Sequence, residues 1–360
     1  MNVFICAGEA SGDRYGAAFA HHLKGLAEFK IHAVGGPLLR AGGAQMVEES
    51  SRWGAIGIAQ ALMVAVPVML AEKRIKRALA GMEPGLFVPI DFGYINVRLA
   101  RFAKQHGWKV FYFVPPGSWR RDRQGADLPA VTNAIATPFE WSAKLLNEAG
   151  ANARWLGHPI KELIKAAAPQ SGAREGVAVL PGSREHEISL NLPLIAQVLA
   201  GYEGRIEFGL APSVNLEQVK ALWGNGPKAE FTQGDLYGVL SRAKAALACS
   251  GTVTLETALC RTPMVVIYKL SPMQALQGRL MGLAGKSISL PNILLQRTVV
   301  PEFADAKLDP QEIRARLYEL LEDTPERTKQ LEAFQELDQL LGPDNGIEAA
   351  AQWAAEIALG

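Results

Sequence analysis

Residues 245–269 read AALACSGTVTLETALCRTPMVVIYK, and the rest of the chain is most easily read outward from them. The short apolar run Ala245 to Cys249 predicts a buried parallel strand, and Val265 to Tyr268 predicts the next one after the Arg261-Thr262-Pro263 break. Between them a helix begins at Ser250, Gly251 and Thr252. Free backbone amides, two hydroxyls and the positive end of a helix dipole then stand at the carboxyl edge of a parallel sheet, where diphosphates bind. Glu256 follows within the first turn or so. A carboxylate there can accept hydrogen bonds from two ribose hydroxyls while the amides hold the phosphates, so the stretch reads as a nucleotide-diphosphate cradle. A helix cap with a first-turn acid accounts for the same residues equally well.

The chain has 360 residues, 49% hydrophobic and 20% charged, which is ordinary soluble composition and long enough for two domains with full cores. A disordered or fibrous chain is excluded. A net charge of +1 argues against a broad nucleic-acid surface, and no nucleic-acid partner is expected. Cys6, Cys249 and Cys260 lack metal-ligand spacing, so they fit reduced thiols in a cytoplasmic protein, and no metal site is expected. The amino terminus enters a strand at once, without the basic and apolar regions of a signal peptide, which argues against export.

Taken in order, Val3 to Cys6 reads as a strand and Ala7 to Asp13 as a loop leading into a helix that runs to Leu26. Gly8, Ser11 and Gly12 let another molecule approach that backbone, and Glu9 and Asp13 can face a sugar or a cation. A purely structural loop is the plainer alternative. The glycine pattern is not the dinucleotide fingerprint, so NAD is not expected. Ala55 to Ala71 is apolar or small except for Gln60, contains Pro67, and is followed by Lys73, Arg74, Lys76 and Arg77. Spanning a bilayer takes about 20 apolar residues, so this segment reads as one that lies on a membrane surface, or as a buried helix with a basic end.

Leu86 to Asp91 reads as a strand ending on a carboxylate, in the crevice where parallel sheets bind ligands. Asp91 is therefore the leading candidate for a general base, with helix capping as the alternative. After the strand Lys109 to Val114 comes a loop with Trp119, Arg120, Arg121 and Arg123, suited to a phosphorylated ligand or to a solvated turn. The small, turn-forming run Ala166 to Gly172 marks a domain boundary, set at 168/169. Alternation then restarts with the strand Val177 to Leu180 and the loop Pro181-Gly182-Ser183-Arg184, where Arg184 can grip a pyrophosphate with paired donors. Asn292 lies in a turn where its amide can read a base or sugar edge. Both halves repeat strand and helix, which predicts an α/β protein of doubly wound domains. The chain closes on an Ala-rich helix whose face Ile347, Ala350, Ala351, Ala354 and Ile357 docks onto a core.

Together, Ala7 to Asp13, Gly36-Pro37, Ile90-Asp91, Gly157-His158-Pro159, Leu180 to Arg184, Ser250-Gly251-Thr252 with Leu255-Glu256, Pro263 to Val266, and Ser289 to Asn292 with Pro301-Glu302 resemble the lipid-A-disaccharide synthase family. The matches follow family order and cover nearly the whole chain. The resemblance implies a GT-B fold, two facing Rossmann-like domains with a cleft between them. Residues 1–168 would form the acceptor side with a membrane-associating segment near 55–77, residues 169–345 the UDP-sugar side, and residues 346–360 a helix crossing back. It also implies an inverting, metal-independent glycosyltransferase that needs no cofactor. The donor would be UDP-2,3-diacylglucosamine and the acceptor 2,3-diacylglucosamine 1-phosphate, at the inner face of the cytoplasmic membrane; a homodimer is left open. Carried over by position, Asp91 is the base, and Arg184, Ser250, Gly251, Thr252, Glu256 and Asn292 hold UDP.

Departures from the family pattern lie on the acceptor side. Tyr94 stands where the pattern Ile-Asp-x-Pro-Asp-Phe-Asn has a second acid, and the Ser-Pro-x-Val-Trp-Ala-Trp loop here keeps one tryptophan, Trp119. They leave open a relative that joins another UDP-sugar to another acceptor, or a non-catalytic nucleotide-sugar or lipid-binding relative. Retention of Asp91, Arg184 and Glu256 weighs against the last.

Overall fold

Strands buried on both faces read as unbroken apolar runs, because alternate side chains enter different cores. The first strand, β1 (Asn2–Ala7), is such a case: Val3, Ile5 and Ala7 enter one apolar cluster, and Phe4 and Cys6 enter another. A computed structural model describes residues 1–50, 53, 58–116, 127–167, 172–280 and 285–360, with the side chains of 58–66 and Tyr94 outside that description. The chain forms two units, Met1–Leu163 with Leu341–Gly360, and Ile164–Leu340.

In the first unit β1 is followed by β2 (Lys30–Gly35), β3 (Gln45–Glu49), β4 (Leu86–Ile90), β5 (Lys109–Phe113), β6 (Ala134–Thr137) and β7 (Ala153–Trp155). They form a seven-stranded parallel sheet in the order β3-β2-β1-β4-β5-β6-β7. The second unit contributes β8 (Val177–Leu180), β9 (Ile206–Leu210), β10 (Glu230–Gln233), β11 (Ala245–Cys249), β12 (Met264–Lys269) and β13 (Glu302–Asp305). Its six strands are also parallel, ordered β10-β9-β8-β11-β12-β13. In each sheet the chain first builds outward on one side and then returns to build on the other. The direction reverses between β1 and β4, and again between β8 and β11, and loops diverge at such points to leave a crevice at the carboxyl edge.

Three features differ from the sequence reading. The helix after β1 spans Ala10–Leu26, so only Gly8 and Glu9 form the connection, and Ser11, Gly12 and Asp13 already lie in its first turn. The edge strands β3 and β13 lack the apolar runs of their neighbours, since most of their residues stay partly exposed. Finally, the units divide at 163/164 and 340/341 rather than at 168/169 and 345/346. The reason is local bonding: the His158 amide donates to the Leu341 carbonyl (2.9 Å), and Glu162 takes the amides of Ile347 (2.7 Å) and Glu348 (3.1 Å). Residues 168–171 lie outside the described residues.

The helix Gly346–Leu359 packs on the first unit's sheet through Ile347, Ala350, Ala351, Trp353 and Ala354. The alanines allow close approach, and Trp353 meets Phe111 edge-on at 5.2 Å with the Arg154 guanidinium 4.3 Å above its ring. Glu162 caps this helix with a carboxylate at the positive end of its dipole and also takes His22 Nε2 at 2.6 Å.

Candidate functional site

At the first unit's switch point β4 ends at Ile90, and Asp91 and Phe92 both adopt left-handed backbone, with φ of 48° and 50°. Neither residue is a glycine, so the pair costs about 1–3 kcal/mol per residue unless surrounding bonds hold it. The bonds are present. The Asp91 amide donates to Phe113 O (3.3 Å) and Val114 O (3.1 Å), and its carbonyl accepts from Tyr112 Oη (2.9 Å) and Asn96 Nδ2 (3.0 Å). Burial, then the charge of Glu9, push the Asp91 carboxyl up to about 6, while the Phe92 amide pulls it down. A carboxylate poised there accepts a proton near neutral pH far better than an ordinary aspartate.

The residues around Asp91 divide into facing and buried groups. Glu9 is exposed and Ser11 partly so. Gly8 is buried under the Phe92 ring, where a Cβ would come within 2.4 Å of three ring atoms, and a Cβ on Gly12 would sit 3.2 Å from that of Ala7. Asp13 differs from the expectation that it faces a ligand. Its carboxylate is 4% exposed and takes the amides of Gly36 (2.8 Å), Leu38 (3.0 Å) and Leu39 (3.1 Å), capping the helix Pro37–Ala41. The side chain of Tyr94 and the loop with Trp119, Arg120, Arg121 and Arg123 lie outside the described residues.

The second switch point carries the other set. Gly182, at φ 115°, turns the chain after β8, and a Cβ there would fall 2.9 Å from the Glu187 carboxylate. Arg184 directly precedes the helix Glu185–Val198 and donates from Nη1 to Glu187 Oε1 at 2.9 Å. After β11, Ser250 Oγ donates to the Ile288 carbonyl (2.7 Å). Gly251 takes φ 142° at the start of the helix Thr252–Leu259, and both Gly251 and Thr252 are exposed. That backbone belongs to glycine alone, and the first amides of a helix have no helical carbonyl to bond. Two expected ligand contacts lie deeper. Glu256 is 3% exposed and accepts from Tyr237 Oη (2.8 Å). Asn292 is 2% exposed; its oxygen takes the amides of Val299 (2.7 Å) and Val300 (3.0 Å), and its nitrogen donates to Val300 O (2.9 Å).

Two buried asparagines escaped the sequence reading as site residues. Asn96, 0% exposed, donates from Nδ2 to the carbonyls of Cys6 (3.0 Å), Ile90 (3.1 Å) and Asp91, tying the ends of β1 and β4 together. Its Oδ1 is buried without a hydrogen-bond partner, an arrangement that costs about 1–3 kcal/mol. Asn191 donates to Pro181 O (3.0 Å) and Cys249 Sγ (3.3 Å) and accepts from the Lys269 amide (3.0 Å), joining the ends of β8, β11 and β12. The signal was available: each sits on the apolar stripe of its helix, Asn96 with Val97, Ala100 and Ala103, Asn191 with Ile188, Leu192 and Ile195. A buried amide on such a stripe needs partners.

Comparison with known proteins assigns the chain to a family. A profile described as lipid-A-disaccharide synthetase matches residues 3–357. The chain belongs to the lipid-A-disaccharide synthase family. It is 31% identical to the lipid-A-disaccharide synthase of Syntrophus aciditrophicus over 99% of this chain and 97% of that protein. The enzyme of the same name from Trichlorobacter lovleyi is also 31% identical, covering 94% of this chain and 93% of its own. Among solved structures, a Staphylococcus aureus MnaA–UDP co-structure superposes with TM-score 0.64 at 10% identity, covering 99% of this chain and 97% of that one. Acinetobacter baumannii MurG superposes at TM-score 0.59 and 14% identity, covering 99% of both. The family membership makes the protein a glycosyltransferase of lipid A biosynthesis, and the two parallel-sheet units are those of the GT-B fold.

Proposed function

We propose that the protein transfers an acylated glucosamine from UDP-2,3-diacylglucosamine to the 6-hydroxyl of 2,3-diacylglucosamine 1-phosphate, with inversion. The observation that carries this reading is the place of Asp91 at the carboxyl end of β4, its backbone held by Phe113, Val114, Tyr112 and Asn96, with burial raising its carboxyl. Asp91 takes the hydroxyl proton as the oxygen attacks the anomeric carbon, a contribution of roughly 10² to 10⁴ in rate. UDP leaves with its negative charge. Arg184 and the amides at Gly251 and Thr252 offset that charge, once Arg184 exchanges Glu187 for phosphate oxygens. Glu256 and Asn292 support the reading as elements that shape the cradle from beneath, with ribose or base contact as their proposed ligand role. A membrane-surface site for the helix Ile58–Gly81 fits the acylated substrates, since Met69 and Leu70 are exposed one turn before Lys73. No described helix is long and apolar enough to cross a membrane.

The test is a radiolabelled transfer assay in detergent that follows disaccharide and UDP together. The expected result is equimolar disaccharide and UDP from the wild-type protein. Asp91→Asn should turn over about 10² to 10⁴ more slowly while still binding UDP. Unchanged turnover would remove Asp91 as the base. UDP binding without disaccharide would favour a different acceptor, the reading to which Tyr94 points because it replaces the family's second acid.

A further inference from the structure

The grip on the Asp91 backbone is closer than a strand end requires. Three carbonyl oxygens, from Cys6, Ile90 and Asp91, converge on the single Nδ2 of Asn96 at 3.0 to 3.1 Å. Only a donor tolerates that position, so the amide orientation is set by its surroundings. One consequence is the unpartnered Oδ1, which the fold retains. From the other side Tyr112, wholly buried on β5, sends its hydroxyl to the same Asp91 carbonyl at 2.9 Å. Two side chains from different elements thus clamp one carbonyl between two successive left-handed residues.

We propose that Asn96 and Tyr112 are positioning residues for Asp91, holding its peptide in the left-handed conformation that directs the carboxyl group toward the acceptor. The inference rests on the reading of Asp91 as the base. Without the clamp, the Asp91–Phe92 pair relaxes toward ordinary backbone and carries the carboxylate with it. A displacement of about 1 Å in a catalytic group can cost about 10²-fold in rate. The charged and titratable groups facing this site are Glu9 from the loop after β1, Cys6 from β1 and Tyr112 from β5. Burial pushes the Cys6 and Tyr112 pKa values upward, so both keep their protons at neutral pH and neither can take one from the acceptor.

The decisive variant is Tyr112→Phe, which removes one oxygen and keeps the ring packing. It should lower kcat about tenfold with both KM values unchanged, on the scale of one lost neutral hydrogen bond. The acid limb of its kcat/KM profile should move below the wild-type position as the freed carboxyl gains water. Asn96→Ala should lower kcat further, with thermal unfolding run alongside; if that variant does not fold, Tyr112→Phe carries the test alone. The double variant Asp91→Asn/Tyr112→Phe should be no slower than Asp91→Asn, because Tyr112 acts through Asp91. An active Asp91→Asn protein would overturn the base reading and this inference together. An inactive Asp91→Asn beside a Tyr112→Phe with wild-type kcat and acid limb would overturn the positioning role alone, as would a double variant slower than Asp91→Asn.

Discussion

Gly8 in the first unit is roofed by the Phe92 ring, whereas Gly251 at the corresponding edge of the second unit has no atom within 4 Å of where a Cβ would stand. The first edge holds acids, Asp91 with Glu9; the second holds Arg184, paired with Glu187, and the exposed helix start at Gly251 and Thr252. The asparagine ties differ in the same sense: Asn191 has both amide ends satisfied, while Asn96 leaves Oδ1 without a partner. One topology therefore supports two electrostatic jobs. The unit that would remove a proton raises the pKa of its carboxylate by burial, and the unit that would receive an anion leaves Gly251 and Thr252 exposed and Arg184 partly so. A base gains from burial that raises its pKa, while an anion site gains from dipoles already pointing outward.

The largest effect that tests this comparison concerns Asp91 and stability. Its folded value of about 6 lies above the ordinary 3.8, so the fold favours the neutral carboxyl. That contribution is complete below the unfolded value and is lost as pH rises through about 6, leaving the ionised group a cost at neutral pH. Asp91→Asn keeps the shape, and asparagine tolerates left-handed backbone. The variant should gain up to roughly 3 kcal/mol at about pH 8 and nothing below about pH 3.5. Thermal unfolding across that range measures it. Equal stability of the two proteins at pH 8 would mean a well-hydrated carboxylate and would break the contrast between the edges.

The contrast also explains what could be read from the chain. Gly182, Arg184, Ser250 and Gly251 were legible as residues of strand-end turns, because glycine marks such turns in the sequence; their grip on a diphosphate belongs to the proposed function. So were the interior strands, whose two buried faces leave unbroken apolar runs. Glu256, Asn292 and Asp13 were legible as polar residues near a turn, but their direction was not. Direction depends on which backbone amides and hydroxyls come near after folding, such as the Gly36 amide for Asp13, separated from it by 23 residues. Asn96 and Tyr112 show the same limit, since their shared target is a backbone carbonyl that no sequence pattern marks. The edge strands β3 and β13 lacked a signal because most of their side chains stay partly exposed and so carry no apolar run.

An intermediate effect separates the two glycines. Gly8→Ala fails for want of space and should destabilise by about 1–3 kcal/mol, with Phe92→Ala restoring part of the loss. Gly251→Ala fails through its backbone, at φ 142°, and should cost a similar amount that no neighbouring substitution recovers. Its UDP affinity, measured by calorimetry, should fall as well, because the helix start would have to rotate. Rescue of Gly251→Ala by trimming a neighbour, or none of Gly8→Ala by Phe92→Ala, would reverse the assignment of space to one edge and backbone to the other.

The smallest effect concerns where each unit keeps its exposed apolar residues. The helix Ile58–Gly81 exposes Met69 and Leu70, and the helix Pro272–Leu280 exposes Met273, Leu276 and Leu280. Their cations differ. Arg279 is tied to Asp305 at 3.1 Å, Arg74 to Glu48 at 2.5 Å and Lys76 to Glu72 at 2.7 Å, while Lys73 and Arg77 are exposed with no carboxylate partner among the described residues. A lysine or arginine near an anionic surface contributes about 1 kcal/mol, and one already neutralised contributes less. Lys73→Gln/Arg77→Gln should therefore release the protein from anionic vesicles in sedimentation more than Arg74→Gln/Lys76→Gln, with Arg279→Gln nearly silent. Equal losses from both pairs would mean that the Glu48 and Glu72 contacts open at the surface. Binding that ignores all four charges would remove the electrostatic part of the membrane proposal and leave Met69 and Leu70 as its only support.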